Sequence, residues 1–329
     1  MTNKVETALD AYLPHIINKV DGFTTMLSSL SANDPLEITQ WTMLFSFDIM
    51  GLVGLGRDFH GIPTGTLHPA IGALREHMRM LGILSHVPWL LNLLALVPGA
   101  SGAYAPFFTF CAEQVREKRE RMLAENKNKK LRGEVGGSME ETRMAVPDIM
   151  TWLISAYDDP ADPLGVPSRA ALDEDSRVVI IAGSETTATT LATVLYFMAK
   201  LPKEQRKFQA ILDKEIGEDW TYEKAKACSY LDWVITETLR LQPAVRTGAP
   251  METPPEGITV DGVYIPGNVN VLVGPMVIQN DTRYWGDRAG EFDPSRHGEK
   301  SSHGAPFMAF GMGRSRHLLP TVCGISVLG

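Results

Sequence analysis

Ala182-Gly183-Ser184-Glu185-Thr186-Thr187 interrupts an apolar stretch whose periodicity predicts one long helix from about Arg169 to Lys200. A glycine inside a helix costs roughly 1 kcal/mol relative to alanine. A lone carboxylate among apolar neighbours costs more unless it finds a partner. Two explanations are open for keeping both. The glycine lets another group approach the helix backbone closely, with Glu185 and Thr186 placed to pass protons to it. Alternatively, the segment is a core helix whose hydroxyls bond back to its own carbonyls. The helix alone leaves the two even.

Towards the C-terminus three further motifs follow in order. Glu237-Thr238-Leu239-Arg240 sets an acid and a base three residues apart, neighbours on a helix. Tyr230, Val234 and Leu241 mark an apolar face, and Glu237 falls on it. Burial there predicts a paired structural network, not a surface pair of little worth. Phe292-Asp293-Pro294-Ser295-Arg296-His297 reads as a loop with a turn, and Arg296 is placed to join Glu237 and Arg240 as a third member. Phe307-Met308-Ala309-Phe310-Gly311-Met312-Gly313-Arg314 combines apolar side chains with two glycines. It is either a plain connection or a loop able to lie flat against a planar cofactor.

Around these motifs the chain reads as mainly α. Leu9, Tyr12, Leu13, Ile16, Val20 and Phe23 recur at helical steps, and Asn33-Asp34-Pro35 ends that segment and offers caps to a helix over Leu36–Leu55. Further helices are expected at Pro69–Leu84, Tyr104–Glu125, Lys203–Ile216 and Tyr222–Leu241. Residues 126–146, with the basic run Lys127–Arg132 and Gly133, Gly136 and Gly137, read as a solvated linker. Ile258–Val260, Tyr264–Ile265 and Val269–Val273 read as short strands, a small β portion late in the chain.

The chain has 329 residues, 44% hydrophobic, and a net charge of -8, an ordinary globular composition without the basic field that a nucleic-acid partner requires. Cys111, Cys228 and Cys323 have neither metal-site nor disulfide spacing, which fits a reducing compartment. Met1–Val20 is amphipathic and charged and reads as neither signal peptide nor membrane anchor. Leu81–Ala100 and Val178–Ala199 are apolar enough to be mistaken for spans. Ser85, His86, Pro88, Asn92 and Pro98 break the first, and Glu185 and many threonines mark the second. Both are expected to be buried or interfacial, the first offering membrane contact.

The four motifs in this order resemble those of the cytochrome P-450 family, haem-thiolate monooxygenases of the fungal kind. The resemblance runs from about Met1 to Arg314. Phe45–Phe59, ending Gly54-Leu55-Gly56-Arg57-Asp58-Phe59, also resembles the family's helix before its substrate lid. The resemblance implies a partial P-450 domain over residues 1–314, from about the C/D-helix region to the haem loop. It implies a haem between the long helix and the Phe307–Arg314 loop, with a loop cysteine thiolate on the iron. Gly183 would give dioxygen space, and Glu185 and Thr186 would relay protons during oxygen activation. Phe310, Gly311, Gly313 and Arg314 would contact the cofactor, while Glu237, Arg240 and Arg296 would hold the scaffold on the haem side. The implied reaction inserts one oxygen atom of dioxygen into an apolar organic substrate of fungal secondary or xenobiotic metabolism. Electrons would come from an NADPH-dependent reductase. Full-length members would sit on the cytosolic face of the endoplasmic reticulum membrane, and this chain, without an anchor, would be cytoplasmic.

The family pattern runs Phe-Gly-x-Gly-x-Arg-x-Cys-x-Gly. Counted from Phe310, the arginine slot holds Ser315 and the cysteine slot holds His317; Cys323 lies six residues late. No proximal helix follows, so residues 315–329 read as an aberrant tail. A shifted reading frame or missed splice junction after Arg314 is expected to explain it. The family's early Trp-x-x-x-Arg haem contact is expected before Met1, and Met251 stands where relatives often carry a propionate-binding arginine. Three functional readings follow. The first is a haem-dependent monooxygenase, which fits the family. The second is a catalytically inactive fragment or gene-model artefact with no haem, its metal ligand unknown, with His317 in the ligand slot and the displaced Cys323 as runner-up, which fits this polypeptide as it stands. The third is a helical module binding a hydrophobic ligand through Leu81–Ala100.

Overall fold

Thr42 to Met50 are buried without interruption, so helix α2 (Ile38–Met50) is core on every side after its first turn. The computed structural model builds the first of two units, Met1–Ala188, around it. Residues 2–30, 35–84, 90, 93, 105–131, 148–159, 168–248, 250–298 and 304–312 are described. Helices α1 (Thr2–Ser29), α3 (Gly61–Thr64), α4 (Pro69–Leu84), α5 (Ala105–Leu131) and α6 (Ile149–Asp158) belong to this unit. The long α7 (Arg169–Lys200) gives it residues 169–188. Phe47, Leu74, Phe107, Met150, Leu172 and Ile180 meet in its core.

The end of α2 widens into a single π turn, Gly51–Leu55, closed by Gly56 in the left-handed conformation at φ 61°. Gly51, which opens the turn, has no room for a side chain. A Cβ on Gly51 would lie 2.5 Å from the Arg57 carbonyl and 2.6 Å from the Phe59 ring. The chain leaving this turn is fixed by charge. Asp48, fully buried, accepts the backbone N–H groups of Gly61 and Ile62 at 2.8 and 3.1 Å. Buried Lys19 of α1 neutralises it at 3.3 Å and reaches Asp58 at 2.7 Å.

The second unit, Thr189–Gly329, contains the rest of α7, α8 (Pro202–Glu215), α9 (Tyr222–Ala227), α10 (Ser229–Leu241), α11 (Pro275–Ile278) and α12 (Thr282–Trp285). Phe197, Phe208, Tyr230, Val234 and Leu241 form its core. Its sheets are two antiparallel pairs. β2 (Ile258–Val260) and β3 (Val263–Ile265) form a hairpin, Ile258 opposite Ile265. Asp261 and Gly262 turn it at φ 49° and 78°, the positive pair that a tight hairpin turn demands. β1 (Met251–Glu252) pairs with β4 (Asn270–Val271).

Several expectations need correction. Tyr222–Leu241 is two helices, because Cys228 leaves helical geometry at ψ 94° and starts the second, burying itself and Tyr230 against the α8 side. The basic run after Glu125 is helical to Leu131, since straight-chain lysines continue a helix readily. The α2 N-cap is Glu37, without a side-chain cap, in place of the Asn33–Asp34 pair. β1 was not expected, and β4 is shorter than Val269–Val273. Most of Leu81–Ala100, residues 132–146 of the linker, Asn33 and Asp34 lie outside the described residues. Ile38–Leu55 and Arg169–Lys200 are long and apolar enough to cross a membrane; 67% of the first window is buried inside the protein and 33% of the second.

Candidate functional site

On α7, hydroxyls crowd one turn. Thr186 Oγ1 donates to the Ala182 carbonyl at 2.6 Å, and buried Ser184 Oγ donates to Ile180 O at 2.5 Å. From α2, buried Ser46 Oγ reaches the carbonyls of Gly183 and Ser184 at 3.1 and 2.7 Å. Thr186 thus does what a core-helix threonine does. Gly183 has a packing reason of its own, since a Cβ there would lie 2.9 Å from Met50 Cγ. Glu185 is different. Its Oε2 is buried and has no hydrogen-bond partner among the described residues. Burial pushes its carboxyl above the ordinary value, opposed by the charge of Arg75 on α4. A half-buried acid with its pKa raised by burial is the kind of group that marks a candidate site.

In the second unit the structure brings Glu237, Arg240 and Arg296 together. Glu237 and Arg240 are fully buried. Arg240 Nε donates to Glu237 Oε2 at 2.7 Å and Nη2 to Oε1 at 2.9 Å, a two-pronged pair. Arg296 Nε donates to Oε1 at 2.9 Å, and the Asp293 N–H does so at 3.0 Å. His297 adds a member that its sequence position alone did not reveal: its Nε2 lies 2.9 Å from Glu237 Oε2. Burial opposes ionisation of Glu237, but hydrogen bonds from Arg240 and His297 and the charge of Arg240 outweigh it and hold its pKa down at about 2. Arg240 also donates to the carbonyls of Gln279, Ala289 and Glu291, and its guanidinium lies 4.9 Å from the centre of the Trp285 ring. The helix is thereby tied to the 3-10 turn Pro294–Gly298.

The loop reaches Met312 within the described residues. Phe307 and Phe310 meet edge to face at 6.4 Å, and Gly311 adopts φ 74° as its N–H bonds back to Met308 O at 2.9 Å. Buried Gln279, which no motif singled out, accepts the Met308 N–H at 2.5 Å. Gly313, Arg314, His317 and Cys323 lie outside the described residues. Met251 is exposed. Among the described residues no group of three or more His, Cys, Asp or Glu could hold a metal. Their two free thiols are buried, and burial pushes Cys111 up to about 12, so it stays protonated.

Three relatives give the arrangement a context. A cytochrome P-450 monooxygenase of Phoma sp. is 40% identical over 239 residues, covering 72% of this chain and 79% of the relative. One of Eupenicillium brefeldianum is 30% identical over 290 residues, 88% of this chain and 54% of the relative. Tryprostatin B 6-hydroxylase of Aspergillus fumigatus is 31% identical over 247 residues, 73% of this chain and 39% of the relative. The chain thus spans about half or less of the length of the last two. The profile of the Cytochrome P-450 family matches residues 1–316. This chain belongs to the cytochrome P-450 family.

Proposed function

We propose that this chain carries the scaffold of a haem-dependent monooxygenase that inserts one oxygen atom of dioxygen into an apolar organic substrate, of the kind met in fungal secondary or xenobiotic metabolism. The observation that carries the reading is the buried Oε2 of Glu185, unpartnered among the described residues, beside a turn whose carbonyls are already taken by hydroxyls. A haem, when bound, supplies dioxygen activation and oxygen transfer, with electrons from a separate NADPH-dependent reductase. Glu185, whose carboxyl burial raises above its ordinary value, is the proton donor in this reading, on the helix that exposes Ala182 and Gly183. Thr186, whose hydroxyl donates to the Ala182 carbonyl one turn back, stands next to Glu185 as the second member of the proton relay in this reading. The Glu237 network keeps the second unit's loop-bearing scaffold rigid. The reductase and a membrane-surface location, common in the family, belong to this reading.

The fit to haem is uneven. The residues of α7 suit the oxygen side, where a proton donor is wanted. Neither thiol among the described residues suits an axial ligand, because Cys111 and Cys228 are buried in cores. His317 in the ligand slot and the displaced Cys323 are the candidates in this reading. This favours a second reading, in which the chain as it stands keeps the scaffold but is catalytically impaired at the iron ligand. Supplying hemin, a reductase, NADPH and isotopically labelled dioxygen, and searching for one labelled oxygen in an apolar product, separates the two. Label in the product that disappears in Glu185→Gln supports the first reading; hemin binding without any label supports the second.

A further inference from the structure

We propose that Gln279 is a positioning residue, whose side-chain amide pins the Phe307–Met312 loop to the C-terminal end of α10. The need for it starts in the sequence. The Leu239 carbonyl would ordinarily accept the N–H four residues on, but that residue is Pro243, which has none. Helix α10 ends at Leu241, with the Gln242 N–H bonded to Thr238 O, so the carbonyls of Leu239 and Arg240 face inward without helical donors. Gln279 Nε2 supplies both, at 3.0 Å each. Its Oε1 is left to accept the Met308 N–H at 2.5 Å, and its own backbone carbonyl accepts Arg240 Nη1 at 2.7 Å.

The polarity of this clamp is specific. The helix end offers only acceptors and the loop offers only a donor, so the bridging group must donate on one side and accept on the other. A carboxylate lacks the donor, an ammonium lacks the acceptor, and a thioether of similar length supplies neither in useful strength. A neutral imidazole has one of each. The side chain is fully buried, so water cannot substitute. Glu237, Arg240, Gln279 and Met308 therefore form one continuous chain of bonds, and the loop's place is set by the end of the helix that carries the ion network.

The clamp does not depend on the loop's being a haem contact; only its consequence for the cofactor rests on that reading. The test is hydrogen–deuterium exchange by mass spectrometry on the full chain, wild type against Gln279→Met and Gln279→His. Gln279→Met should speed exchange over residues 304–312 by about tenfold or more, leave α2 and α5 unchanged, and be rescued by Gln279→His. Unchanged exchange in the loop, equal acceleration throughout the protein, or no rescue by histidine overturns the proposal. Should Gln279→Met fail to fold, the wild type decides alone: a protected Met308 amide supports the clamp, and free-peptide exchange there refutes it. A parallel hemin titration separates the two readings. A loosened loop with unaltered hemin affinity keeps the clamp and removes the loop from the haem site.

Discussion

Replacing Glu237 by alanine removes one carboxylate and strands two guanidinium groups unequally. Arg296 is 13% exposed at its side chain and keeps the carbonyls of Arg288 and Glu291, so water and backbone moderate its loss. Arg240 is fully buried. It keeps three backbone carbonyls and the face of Trp285, which satisfy its hydrogen bonds but not its charge. Removing one partner of a buried pair costs about 3–5 kcal/mol, whereas an exposed pair is worth about 1 kcal/mol or less. The lower end of the first range applies, about 3 kcal/mol, because Arg240 retains its carbonyls. Trp233 and Trp285 lie in the same unit, so urea unfolding followed by tryptophan emission reports the change. With a urea slope of about 1–3 kcal/mol per molar, the midpoint should fall by roughly 1–3 M. A loss below about 1 kcal/mol would mean that Glu237 behaves as a surface residue, and the reasoning from burial fails.

Acid titration should give the same network away. Glu237 is depressed from 4.5 to about 2, so its contribution is complete above pH 4.5 and is lost as pH falls towards 2; Glu237→Gln should flatten the stability profile across that window. Glu185→Gln should act oppositely, because the folded-state pKa of Glu185 is raised. The wild type loses stability as pH rises from 4.5 through the folded value, and the glutamine variant, measured by thermal melts, should gain on it over that interval. Gly298→Ala should destabilise by about 1–3 kcal/mol in urea, since the added methyl would drive into the Trp233 ring. A wild-type midpoint for that variant would mean the turn shifts freely.

The parts legible in the sequence are those written in side-chain pattern. α7 declared itself by the helical periodicity of a long, mostly apolar stretch, and the Glu237–Arg240 pair by three-residue spacing on an apolar face. Interactions made to backbone atoms left fainter marks. Gln279 touches only carbonyls and an N–H, so nothing in its neighbours announces it. Its one trace is Pro243, four residues after Leu239, which leaves a carbonyl without its donor. Ser46 is similar, a lone hydroxyl in an apolar helix whose partners, Gly183 O and Ser184 O, lie far along the chain. The break at Cys228 carries no Gly or Pro signal, because packing of Tyr230 decides it. The strand Met251–Glu252 is two exposed residues, too short for alternation to show.

The reduced carbon monoxide difference spectrum of the purified, hemin-reconstituted chain tests the central claim most directly, with His317→Ala and Cys323→Ser alongside. A scaffold fit for haem but without a thiolate in the ligand slot should bind hemin weakly or with a histidine-type spectrum, and should not develop the red-shifted thiolate band. Loss of the histidine-type signal in His317→Ala would locate the ligand. A stoichiometric thiolate band that vanishes in Cys323→Ser would contradict the account, showing that the displaced cysteine reaches the iron and that the chain is a complete haem-thiolate centre.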